Sequence, residues 1–142
     1  REHFGIRLLS RKEGLLSAHR VLRNQGHLAL LFDQNAGPAG RPIPFLGRLA
    51  STTPLPAQLW SRHRPAVYWG FVRRTGFLRG ILEVEEVPTS VLQGNGEGLL
   101  TASNQWLGHL LATDPESCAG WLWSHRRWQI PKNPPRNSPP PL

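Results

Sequence analysis

Between Leu15 and Leu22 the apolar positions recur at helical spacing, with Leu15, Leu16, His19 and Leu22 on one face. Ser10 followed by Glu13 is a capping box, in which the serine hydroxyl takes the N3 amide proton and the glutamate reaches back. Together they predict a helix from about Lys12 to Gln25, with Gly26 as its stop. Beyond it the helical period is lost. His27 to Asp33 is a short apolar run without alternation, bounded by glycine and a turn, which suits a buried parallel strand. A helix feeding a buried strand points to an α/β architecture.

Asn35 to Pro44 is rich in Gly and Pro and reads as a loop. Pro54 and Pro56 sit where a first helical turn tolerates proline, so a helix is expected through Gln58 to about His63. Ala66 to Arg73 reads as a strand, Thr75-Gly76 as a turn, and Phe77 to Val87 as the antiparallel partner. From Gly98 to Ala112 a stripe including Leu99, Leu100, Ser103, Trp106, Leu107 and Leu111 predicts an amphipathic helix packed on the core. Trp121 to Trp128 forms a short aromatic and basic segment. The end, 131–142, holds six of the 14 prolines and reads as an extended, disordered tail, leaving residues 1–130 as the domain.

Composition narrows this picture. At 39% hydrophobic, the chain has too much apolar material for disorder, yet its longest apolar runs fall far short of a membrane span. It contains no methionine and opens on a charged Arg1-Glu2-His3, so it reads as truncated upstream of Arg1. Cys118 is the one cysteine, which excludes an internal disulfide and a Cys-based zinc site; a partly buried thiol is expected. No spacing of His, Asp and Glu suits a metal, so none is expected. The net charge is +8, and 15 of the 17 basic residues are arginine, whose planar fork fits phosphate and carboxylate. Codon bias toward Arg, Pro, Gly, Ala and Leu accounts for that excess equally well.

Three blocks carry a resemblance. They are Gly26-His-Leu-Ala-Leu-Leu-Phe-Asp33-Gln34, then Pro42-Ile-Pro-Phe45-Leu-Gly47 followed by Ala50-Ser-Thr-Thr53, then Trp123-Ser-His125-Arg126-Arg127-Trp128. In this order they resemble the bacterial lipid A biosynthesis lauroyl/myristoyl acyltransferase family, over roughly Arg1 to Lys132. The resemblance implies a glycerophosphate-acyltransferase-like fold, here the C-terminal part of a mixed sheet flanked by helices, incomplete at the N-terminus. It implies transfer of a fatty acyl chain to a hydroxyl of a lipid A precursor or related glycolipid. The donor would be acyl carrier protein or a CoA thioester, a co-substrate rather than a bound cofactor. The expected partners are acyl carrier protein, the glycolipid and the cytoplasmic face of the bacterial inner membrane, with no nucleic acid.

Relatives of this kind use a His-x-x-x-x-Asp/Glu pair, whose histidine deprotonates the acceptor hydroxyl. The resemblance places that pair before Arg1, so this chain alone is expected to be inactive. His109 to Asp114 has the same spacing, but six histidines and nine acidic residues make one such match unsurprising, and a helix end is the wrong setting.

The resemblance assigns supporting catalytic roles to Arg1, near the oxyanion, and to Asp33, which would orient Arg1 or the acceptor. Asp33 has a plainer reading as a turn residue. Gln34, Arg41, Phe45, Gly47, His125, Arg126 and Arg127 are the candidate substrate-binding residues. Among them Phe45 reads first as core packing and His125 first as structural, whereas two adjacent arginines suit phosphates or an acidic carrier. The charge alone admits another class, a basic module that binds nucleic acid or anionic lipid without catalysis.

Overall fold

The computed structural model describes residues 6–9 and 14–129. Arg1, the Ser10–Glu13 capping box and the proline-rich 131–142 segment lie outside the described residues. Helix α1 spans Gly14–Arg23, inside the expected bounds, and ends on Gln25 in the left-handed region before Gly26. Its expected core face is only partly used. Ala18 is buried, but Leu16 stays 75% exposed, because α1 packs chiefly on one other helix, α2. Helix α2 covers Leu55–His63 as expected, with Pro56 in its first turn.

The parallel strand expected over His27–Asp33 is not formed among the described residues. A run becomes a strand only when a neighbour takes its N–H and C=O groups. Every described strand pairs instead with its own hairpin partner, and Leu31 stays 78% exposed. The class is α/β as expected, but the sheet is two separate two-stranded antiparallel ribbons rather than one mixed sheet.

The first ribbon pairs β1 (Arg41–Phe45) with β2 (Arg48–Thr52). This corrects the loop expected through Pro44. Pro42 and Pro44 lie two residues apart, so their missing N–H groups fall on one side of the strand, and a two-stranded ribbon has an open side to receive them. Leu46 and Gly47, at φ 48° and 75°, make the two-residue turn, which has the type I′ signs. The second ribbon pairs β3 (Tyr68–Gly76) with β4 (Arg79–Glu86), close to expectation. It buries little beyond Trp69, and β4 is exposed along its whole length.

Helix α3 (Glu97–Thr113) is the keel of the molecule. Its Leu107 and Leu111 enter a core with Phe45, Ala50 and Trp121. Its Leu99 enters a second core with Trp60, Trp69 and Val87. Trp106 packs against both. The short helix α4 (Pro115–Gly120) follows, with Asp114 as its N-cap and the Cys118 thiol partly buried, as expected.

Candidate functional site

Arg127 joins all three sequence blocks. Its side chain is 0% exposed, though it belongs to the aromatic and basic segment near the end of the described chain. Nη1 donates to the carbonyls of Gln34 (3.1 Å) and Ser51 (2.7 Å). Nη2 donates to Thr52 Oγ1 (3.1 Å) and Asn104 Oδ1 (2.9 Å). The guanidinium also lies 5.4 Å from the centroid of the Phe45 ring. Its Nε is buried and has no hydrogen-bond partner among the described residues. Burial pulls the guanidinium below its ordinary value and Asp33 pushes it back, yet arginine keeps its proton in proteins.

The polar core around Arg127 is shared. Asn104 Nδ2 donates to Thr52 Oγ1 (3.1 Å) and to the Pro44 carbonyl (3.2 Å). Neither Asn104 nor Thr52 was singled out as a site residue from the sequence; the available signal was a lone amide inside an otherwise apolar helical stripe. Gly40 closes the same wall. A Cβ there would collide with Ser51 Oγ and Ala36 Cβ, so only glycine allows the chain to approach β2 so closely.

Asp33 is half-buried, and its Oδ2 accepts from Trp121 Nε1 at 3.2 Å. Gln34 lends its backbone carbonyl to Arg127 and leaves its side chain exposed. Asn35, which sequence reasoning passed over, ties this edge down. Its Nδ2 donates to the carbonyls of Arg126 (2.5 Å) and Gln129 (2.8 Å), and its Oδ1 accepts from Gly37 N (2.7 Å). Phe45 is 1% exposed, edge-on to Trp121 and stacked on Trp128, so it packs in the core and lines no open pocket. The Trp128 indole donates to its carbonyl at 3.1 Å.

The remaining predicted residues lie apart from this knot or at its rim. Arg41 is ion-paired with Glu97 at the start of α3. Gly47 forms the ribbon turn. His125 is half-buried and Arg126 exposed, flanking Arg127 at the surface.

The His109–Asp114 spacing does not assemble a dyad. His109 is exposed on α3, while Asp114 caps α4, accepting from Ser117 Oγ (2.5 Å) and Glu116 N (3.1 Å). The Ser117 hydrogen bond, foremost, holds the Asp114 carboxyl below its usual range. Among the described residues no group of three or more His, Cys, Asp or Glu side chains is placed to hold a metal ion, and no helix is long and apolar enough to cross a membrane.

A mixed α/β body whose polar knot joins three motif blocks is thus in place. The chain belongs to the bacterial lipid A biosynthesis acyltransferase family, whose model matches residues 1–130. Its function is accordingly of the lipid A biosynthesis acyltransferase type. No curated protein and no solved structure matches the chain.

Proposed function

We propose that the enzyme to which this chain belongs transfers a fatty acyl group from acyl carrier protein, or from a CoA thioester, to a hydroxyl of a lipid A precursor or related glycolipid. The family match over residues 1–130 is the observation that supports this reading. In that reaction the acceptor oxygen attacks the thioester carbonyl, an ester C–O bond forms, the C–S bond breaks, and the thiol leaves with a proton. A base must take the hydroxyl proton, and donors must meet the oxyanion.

This chain supplies walls and anion-binding groups rather than the base. The one His-x-x-x-x-Asp/Glu spacing in its sequence has its acid committed to capping α4, which supports the expectation that the chain by itself gives no turnover. Arg1 and Asp33 take supporting roles. Exposed Arg126 and Gln34, with half-buried His125, are the predicted side chains at the knot still able to meet a substrate.

The reading also places the enzyme on the cytoplasmic face of the inner membrane. The turn between β3 and β4 supports it, because Phe77 and Leu78 are 83% and 89% exposed at the tip, with Arg74 and Arg79 beside them. Apolar side chains flanked by arginine suit a bilayer surface bearing anionic lipid. The test assays the complete gene product with acyl-carrier-protein thioester and a lipid A precursor, in vesicles and in detergent. Transfer is expected in both. A Phe77→Glu/Leu78→Glu variant is expected to lose about tenfold or more of the vesicle activity and to keep the detergent activity. Absence of transfer with every acyl donor overturns the reaction; equal loss in both media overturns the membrane role of the tip.

A further inference from the structure

Helices α1 and α2 enclose a groove of about 500 Å³ that the acyl-transfer reading does not use. Arg20, Arg23 and Arg62 line it, together with His19 and His63. The two imidazoles are joined, His19 Nδ1 to His63 Nε2, at 2.7 Å. That contact requires one nitrogen to donate and the other to accept, so at most one of the two rings carries an extra proton while it lasts. Leu15 and Leu16 supply an exposed apolar side.

Neither helix contains an Asp or Glu, and none of the groove-lining residues is a carboxylate. A plain structural role for the arginines is to face the helix C-termini, where the last carbonyls carry about half a negative charge per helix. Two helix ends therefore offset about one unit of charge. Three arginines leave about two positive charges in excess, which matches a phosphomonoester at neutral pH. Three guanidinium forks also present more donors than a monoanion uses.

We propose that this groove binds a phosphomonoester carried on an alkyl chain, the phosphate held by Arg20, Arg23 and Arg62 and the chain laid along Leu15 and Leu16. His19 supports the placement. Partial burial, then His63 and Arg62, hold its imidazole below the usual histidine range, and an anion seated between the helices reverses the two charge effects. A soluble alkyl phosphate and a membrane lipid with a phosphate headgroup present the same chemistry. Binding here is read without turnover, so it does not depend on the acyl-transfer reading.

The test titrates the 142-residue chain with octyl phosphate, inorganic phosphate and octyl glucoside by calorimetry, follows the histidine ring signals by NMR, and sediments the chain with vesicles containing phosphatidic acid. Octyl phosphate is expected to bind about tenfold or more tighter than inorganic phosphate, to move the His19 and His63 signals and to raise the His19 titration midpoint, with octyl glucoside silent. Arg20→Ala/Arg23→Ala/Arg62→Ala is expected to weaken binding about tenfold or more at unchanged circular dichroism, and Leu16→Glu to erase the preference for the alkyl chain. Arg74→Ala/Arg79→Ala, at the β3–β4 turn and outside the groove lining, is expected to leave octyl phosphate binding unchanged. Binding to vesicles alone, lost in the triple variant, assigns the ligand to the bilayer; binding to octyl phosphate assigns a soluble source. No binding in either arm, binding insensitive to the triple variant, or unmoved histidine signals overturns the proposal.

Discussion

Arg127 holds the molecule together at the position where adjacent arginines most suggested a substrate clamp. The two neighbours divide the work, Arg126 staying in solvent while Arg127 turns inward and spends four hydrogen bonds on the protein. Arg127→Ala leaves buried Asn104 Oδ1 without its donor, while Thr52 Oγ1 keeps Asn104 Nδ2, the Ser51 carbonyl keeps the Ala36 N–H, and the Gln34 carbonyl lies at the exposed edge. One orphaned buried acceptor costs about 1–3 kcal/mol and the space left by a fully buried side chain adds to it, so the variant is expected to lose about 3–5 kcal/mol of stability. Urea denaturation measures this. Arg127→Lys is expected to recover little, because one ammonium cannot span the positions that a planar fork reaches. A loss below about 1 kcal/mol for the alanine variant would show that the bonds are replaceable.

The β1–β2 ribbon shows how local chemistry and packing divide an element between them. Leu46-Gly47 makes a turn with both φ angles positive, and Gly47 is open to solvent where a Cβ would point. The cost of Gly47→Ala is therefore conformational, about 1 kcal/mol, and should appear in the denaturation midpoint with the slope unchanged. The Gly and Pro content of 35–44 suggests a loop, and residues 35–40 are irregular apart from one 3-10 turn at Gly37–Ala39. From Arg41 onward the pairing with β2 overrides proline's poor strand propensity, because the ribbon keeps an open edge. The opposite happens at His27–Asp33, where strong strand propensity finds no partner strand among the described residues. The elements closed by contacts near in sequence, α2, the β3–β4 ribbon and α3, come out close to the hydrophobic pattern.

Across the molecule, the three motif blocks meet because each donates to, or accepts from, a segment of another. Asp33 and Asn35 hold the stretch from Trp121 to Gln129, Arg127 reaches back to Gln34 and β2, and Trp128 bonds the Phe45 carbonyl. Asn35→Ala removes two of these ties at once, those to Arg126 and Gln129. Amide hydrogen exchange is expected to rise over residues 121–129 while α3 keeps its protection. Uniform exchange across the chain would instead mean that the segment opens only with global unfolding.

Hydrophobic periodicity alone is enough to place α1, α2, α3 and the β3–β4 ribbon, though not the short α4, since those patterns answer to hydrogen bonds made within one helix or one hairpin. Motif order alone pointed to the acyltransferase family, because spacing and residue type survive without coordinates. Which arginine faces inward, whether Phe45 packs or lines a pocket, and whether His109 meets Asp114 all hinge on groups brought together from distant parts of the chain. One-dimensional patterns record a residue's type and its near neighbours. Burial and charge pairing arise from contacts across the fold, such as the 93-residue separation between Gln34 and Arg127.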